Sequence, residues 1–189
     1  MNLKKLFEAQ EQLDEHIMQE HPELRGQDNL DWKVLALQVE LAELAQNWRG
    51  FKKWSNDREP RTKIESICGC PMCEHHSIPN DKNPLLEEYV DCLHFILSIG
   101  LELGYTGFDE LDIDRYLKGF WKGDKEEITS SFIIISYLVS SLIIDKSIYK
   151  QVLCKILTLG IKLGLTLEQI EGAYYTKNQT NHKRQEDGY

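Results

Sequence analysis

Apolar residues recur at three- and four-residue intervals through most of this chain, the period of helices with one buried face. The pattern predicts helices from about Leu3 to Glu20, Trp32 to Trp54, Leu85 to Gly104, Phe108 to Trp121, Lys125 to Ile144, Ser147 to Leu163 and Thr166 to Thr176. Prolines stand only at positions 22, 60, 71, 79 and 84, so the chain beyond Pro84 lacks the strongest helix breaker. Asn83-Pro84 reads as a cap followed by a first-turn proline, Asp31 as a cap for the second helix, and Gly104 and Gly164 as helix stops. β-branched residues cluster only at Ile133 to Ile135 and Ile143 to Ile144, inside segments of helical length. The expected fold is therefore all-α: one helical domain over residues 1–189, carrying an inserted arm at about 55–83, the one long stretch without helical periodicity.

Charge narrows the partners. Lys and Arg number 22 against 31 Asp and Glu, a formal net charge of −9, which is the opposite of the basic footprint that polymeric nucleic acid requires. An acidic protein that handles phosphate needs a local basic cluster or a divalent metal. The most apolar run, Phe132 to Ile144, is broken by Ser136, Tyr137, Ser140 and Ser141 and is too short to span a bilayer. The N-terminus mixes apolar and acidic residues where a secretory signal would be continuously apolar. A cytoplasmic location, with no membrane partner, is the expectation, and five cysteines, an odd number, suit a reducing compartment.

Two helices carry paired acids. Glu40 and Glu43 stand three apart, as do Glu88 and Asp91, and three residues place two side chains on one helical face about a turn apart. Helical projection sets the first pair beside Ala36, Leu37, Leu44 and Asn47, and the second beside Leu85, Cys92, Phe95 and Ile99, so the acids share the core-facing stripe. Glu87 projects to a different, solvated face. Carboxylates gathered among apolar residues repel one another unless a cation lies between them, and hard divalent ions with oxygen ligands meet that need. The plain alternative is that such spacing merely decorates a wet surface. His94 is read as a hydrogen-bonded core or surface histidine more readily than as a support for metal ligands, and Trp32, Trp48 and Trp121 as packing residues.

Two further clusters stand out. The C-terminal stretch concentrates Lys177, Asn178, Asn181, His182, Lys183, Arg184 and Gln185, either a phosphate-reading strip or a frayed, solvated tail. Within the arm, CGCPMCEHH brings Cys68, Cys70, Cys73, His75 and His76 into nine residues. Thiolates and imidazoles of this kind bind Zn²⁺, but ligands packed so closely strain a tetrahedron, so zinc, free thiols and a disulfide all stay open. Cys92 and Cys154 fall in helices and are expected in the core.

These residues resemble the dimeric, all-α dUTPases, relatives of the MazG-like nucleoside triphosphate pyrophosphatases. The resemblance rests on QxxLD at Gln10 to Asp14, ExxE at Glu40 to Glu43, FKKW at Phe51 to Trp54, ExxDxxHF at Glu88 to Phe95 and KNxxNxxRQxxGY at Lys177 to Tyr189. It implies Mg²⁺-assisted hydrolysis of dUTP to dUMP and pyrophosphate, with dUDP also accepted, by a homodimer. By position, Glu40, Glu43, Glu88 and Asp91 would hold two or three Mg²⁺ ions, and Glu43 would serve as base. Gln10 and Asp14 would approach uracil, Phe51 and Trp54 would close an aromatic lid, and Lys177, Asn178, Asn181 and Arg184 would address sugar and phosphates. Two positions depart from the family pattern, which commonly has Asn where Asp14 stands and Trp where Phe51 stands. An ionised Asp14 accepts hydrogen bonds but donates none. The rival readings are a MazG-like pyrophosphohydrolase of another nucleotide and a non-catalytic helical interaction protein.

Overall fold

The structure, a computed structural model, describes residues 1–67, 77–80, 82–105 and 127–188. The expected helix at Phe108 to Trp121 and the Cys68–His76 cluster lie outside the described residues. Six α-helices appear among the described residues: α1 (Leu3–Glu20), α2 (Leu30–Trp48), α3 (Pro84–Glu102), α4 (Ile128–Ser141), α5 (Tyr149–Lys162) and α6 (Leu167–Glu186). Single 3₁₀ turns at Pro22–Leu24 and Lys146–Ile148 lead out of α1 and into α5. The fold is all-α, as expected, with one small addition. Within the arm, β1 (Ile64–Ile67) pairs antiparallel with β2 (Ser77–Asn80), Ile64 opposite Asn80 and Ile67 opposite Ser77.

Helix boundaries follow local chemistry. Asn83 caps α3 by accepting from the Leu86 N–H, with Pro84 in the first turn. Thr166 and Gln169 form a reciprocal capping box at the start of α6. Gly104 and Gly164 take positive φ beyond α3 and α5, where a side chain would be strained. Asp31 does not cap α2. Asn29 occupies the cap position, and Asp28 accepts from the Leu30 N–H instead. Nor does α2 reach Trp54: it ends at Trp48, because Arg49 adopts a left-handed conformation and turns the chain away. At the other end of the molecule α6 runs ten residues beyond the expected Thr176, to Glu186.

The core is shared by all six helices, with α3 at its centre: Leu85, Tyr89, Val90, Leu93, Ile96, Leu97 and Ile99 are buried on several sides. α2 packs against α3 in the antiparallel sense, since Lys33 near its start meets Glu102 and Asn47 near its end meets Glu88. α3 and α5 also run antiparallel and approach closely at two reciprocal contacts. The Tyr149 ring on α5 lies over Gly100 on α3, the Tyr89 ring on α3 lies over Gly160 on α5, and a Cβ at either glycine would collide with the tyrosine. Each phenol then donates to a backbone carbonyl of the facing helix, Tyr89 to Ile156 at 3.2 Å and Tyr149 to Ile96 at 3.0 Å. Cys92 and Cys154 are buried, as expected of core residues, and Trp48 packs against Phe132 with ring centroids 5.5 Å apart. None of the described helices is long and apolar enough to cross a membrane.

Candidate active site

The antiparallel α2–α3 pair brings the two acidic motifs together. Glu40, Glu43 and Glu88 each offer a carboxylate oxygen, and these atoms lie within 4.8 Å of one another. The acids sit at the margin of the apolar stripe, not under it: Glu40, Glu88 and Asp91 are half-buried and Glu43 is exposed. Sequence projection placed them too deep, because it locates a Cβ but not a long side chain's reach toward solvent. Glu87, one position away, is exposed, as expected of the solvated neighbour.

Electrostatics follow from this crowding. Partial burial, then the charges of Asp91, Glu43 and Glu88, push the Glu40 carboxyl up to about 7. Partial burial, then Glu43 and Asp91, push Glu88 likewise up to about 7. Lys177 opposes both shifts. Asp91 is not part of the tight trio. Its Oδ2 accepts the Lys177 ammonium at 2.6 Å, so a lysine from α6 supplies the positive charge at that corner. Asn47 Nδ2 donates to Glu88 Oε1 at 3.4 Å, and the buried Cys92 thiol below is pushed up by burial and then by Glu40, Asp91 and Glu88. Hard oxygen donors held in mutual repulsion suit a hard divalent cation.

Beside the acids lies a cavity of about 220 Å³, small against whole-ligand pockets and so sized for a fragment such as one ring. Asp91 joins it to the acidic cluster, Leu13, Ile17, Met18, Leu24, Trp32 and Phe95 contribute apolar surface, and Gln10, Asp14, Lys33, His94, Ser98 and Asn181 contribute polar groups. Those polar groups form a directed network. Asp14 accepts from Gln10 Nε2 at 2.7 Å and from Ser98 Oγ at 2.6 Å. The Gln10 Oε1 accepts from the Tyr174 hydroxyl at 3.0 Å and meets His94 Nδ1 at 2.8 Å. Lys33, only 3% exposed, sets its Nζ 2.8 Å from Glu102 Oε2 and 3.8 Å from Asp14 Oδ2. Burial pushes the Asp14 carboxyl up, while Lys33, Ser98 and Gln10 pull it down. His94, stacked on Tyr174 at 4.2 Å, is driven down to about 3, first by burial and then by Lys177, and so stays neutral. It is a hydrogen-bonded core histidine.

The C-terminal strip is ordered as the second half of α6. Lys177 reaches Asp91, Asn181 lines the cavity, and Asn178 is buried with its Nδ2 donating to the Ala9 carbonyl at 3.3 Å. Arg184 lies further along the helix and is exposed. Phe51 and Trp54 pair edge to face at 5.8 Å on the turn after α2, with Trp54 78% exposed, and neither lines the cavity. Trp32, expected as a packing residue, instead borders the cavity, its indole N–H donating to Asn29 at 3.0 Å. Sequence reading missed Lys33, Ser98 and Tyr174. The available signal for Lys33 was its place on the stripe of Leu30, Leu37, Leu41 and Leu44, where a lone lysine must find a buried partner.

A helical bundle with carboxylates converging from two helices beside a ring-sized cavity defines a class of site: one suited to a divalent cation and a small ligand. The chain belongs to the dUTPase family, whose model, described as dUTPase, matches residues 2–67 and 75–189. Membership makes it a dUTP diphosphatase of the all-α type, and points to a divalent metal at the acidic cluster. The matched residues leave out 68–74, the part of the arm that holds Cys68, Cys70 and Cys73. No curated protein matches the chain.

Proposed function

We propose that this protein hydrolyses dUTP to dUMP and pyrophosphate, and dUDP to dUMP and phosphate, with Mg²⁺ held by Glu40, Glu43, Glu88 and Asp91. The observation that carries the reading is the convergence of three carboxylate oxygens within 4.8 Å beside a ring-sized cavity. Bound Mg²⁺ would gather the phosphate charge and make a water molecule more acidic. The chain's own residues account for the rest. Gln10 and Asp14, joined to each other and to Ser98, hold the base in the apolar slot. Asn181, which lines that slot, and Asn178, on the same helix, address the sugar, while Lys177 exchanges Asp91 for a phosphate oxygen and Arg184 meets the outer phosphates. Glu43, the exposed member of the trio, accepts the proton of the attacking water at a carboxylate oxygen; the water attacks the β-phosphorus, the bond from that phosphorus to the α–β bridging oxygen breaks, and dUMP leaves, a step open to dUTP and dUDP alike. Phe51 and Trp54, already paired on a turn outside the cavity, close over the bound nucleotide as a lid.

The working form is a homodimer. Leu35 and Val39 on α2, and Ile133 and Tyr137 on α4, are large apolar side chains left exposed on two helices that pack together, joined by a Gln38 to Ser140 hydrogen bond at 2.6 Å. A second copy covering this face would remove it from water. The Cys68, Cys70, Cys73 and His75 ligand set remains a proposal for Zn²⁺, and the cytoplasm for location, on composition alone.

The decisive experiment follows pyrophosphate release from dUTP, dCTP, dTTP and UTP, with Mg²⁺ and with EDTA. A dUTP-selective, EDTA-sensitive signal is expected. Equal turnover of the panel would overturn the uracil assignment, and turnover surviving EDTA would overturn the metal.

A further inference from the structure

The cavity pairs a buried ammonium with a partly buried carboxylate where the family pattern has a single amide. Asparagine carries an acceptor and a donor on one side chain, and aspartate carries only acceptors. Asp14 alone therefore lacks the donor half of that complement. The structure supplies a donor from a different helix. Lys33 on α2 lines the same cavity and sets its ammonium 3.8 Å from the Asp14 carboxylate.

Capacity remains on both groups. Each Asp14 oxygen accepts one bond within the protein, Oδ1 from Gln10 and Oδ2 from Ser98, and a carboxylate oxygen has a second lone-pair direction. The Lys33 ammonium has three donors, of which one goes to Glu102 at 2.8 Å, and its separation from Asp14 is beyond hydrogen-bond length. Glu102 is itself held in place by the Asn29 N–H at 3.1 Å, so the lysine is anchored from behind. A buried, anchored ammonium beside a partly buried carboxylate is expensive to maintain for packing alone, since apolar residues of similar size do as well.

Resting on the reading of this cavity as the base subsite, we propose that Asp14 and Lys33 together read the imide edge of the pyrimidine. Asp14 accepts the ring N3–H and Lys33 donates to the C4 carbonyl oxygen beside it. Uracil presents that donor and acceptor side by side. Cytosine presents the reverse, an unprotonated ring nitrogen toward Asp14 and an amino group toward Lys33, so both contacts become unfavourable at once. A site built to bond a specific donor rejects the analogue lacking it far more strongly than shape alone allows.

The test compares dUTP with dCTP for the wild type, Lys33→Met and the double variant Asp14→Asn/Lys33→Met, alongside dUMP and N3-methyl-dUMP binding to the wild type by calorimetry. Lys33→Met should lower the dUTP/dCTP ratio of kcat/KM by about tenfold or more, chiefly through dUTP, and the double variant should recover much of it because asparagine carries both groups. N3-methyl-dUMP should bind at least about tenfold more weakly than dUMP, a comparison that needs no variant to fold. Equal loss for both nucleotides in Lys33→Met, no recovery in the double variant, or undiminished N3-methyl-dUMP binding would each overturn the pairing. Failure of the wild type to prefer dUTP at all would instead overturn the uracil assignment on which the proposal rests.

Discussion

At the scale of single residues, the acidic cluster makes two separable predictions. Glu43→Gln keeps shape and removes the acceptor charge. Because Glu43 is exposed, stability should change by less than about 0.5 kcal/mol, while pyrophosphate release should fall by about two to four orders of magnitude. Parallel melting curves and turnover assays check both, and near-normal turnover would remove Glu43 from the chemistry. The second concerns pH. Glu40 and Glu88 rise from 4.5 to about 7 in the metal-free fold, so the folded state keeps protons that the unfolded chain has already released between those values. Stability from these two groups is therefore full below about pH 4.5 and is lost as pH rises through about 7. Mg²⁺ should reverse that loss, raising Tm markedly at pH 8 and little at pH 5, as melts at a series of pH values would show. A Tm increment independent of pH would place the ion elsewhere. The carboxylates were legible in sequence because helical spacing puts side chains three apart on one face. Lys33 was not, because a lysine's usual place is in water and its partners, Asp14 and Glu102, lie on two other helices.

At the scale of elements, legibility followed the source of each helix's stability. α1 was readable to the residue because its own apolar stripe, Leu3, Leu6, Phe7 and Leu13, is what buries it. The second half of α6 has almost no such stripe: beyond Tyr174 only Asn178 is buried, and the helix is held by polar reach to its neighbours, Lys177 to Asp91, Asn178 to Ala9 and His182 against His16. Contacts between distant parts of a chain leave no periodic trace, so a strip that was equally readable as a frayed tail is a helix. The early stop of α2 was hidden for a related reason, since Arg49 is a non-glycine residue in the left-handed region. Where helices approach most closely, substitution should be costly. Gly160→Ala drives a methyl into the Tyr89 ring and strains its bond to Ile156, and should destabilise the fold by about 1 to 3 kcal/mol in chemical denaturation. A change within experimental error would mean that the tyrosine has room to rotate away. Gly172, on the open side of α6, is the matched control, because a Cβ there meets nothing.

At the scale of the whole molecule, the active site and the exposed apolar face use adjoining sides of the same helix. α2 turns Glu40 and Glu43 toward α3, and Leu35 and Val39 outward beside Ile133 and Tyr137 of α4. Helical periodicity sets the two faces about 90° apart, with Val39 and Glu43 one turn from each other at the seam between them. A partner seated on the outer face would therefore stiffen the helix that supplies half of the carboxylates without entering the site. Tyr137, 71% exposed, and Ile133, 66% exposed, are one turn apart and contribute little to the monomer's core. Replacing both with aspartate should leave the helical circular dichroism intact, convert the assembly to monomer in sedimentation, and lower turnover at dilute concentrations where association is lost. Sedimentation unchanged by the double substitution would show that this face is not the contact. Turnover unchanged in a proven monomer would show that α2 needs no outer support to hold Glu40 and Glu43 against Glu88.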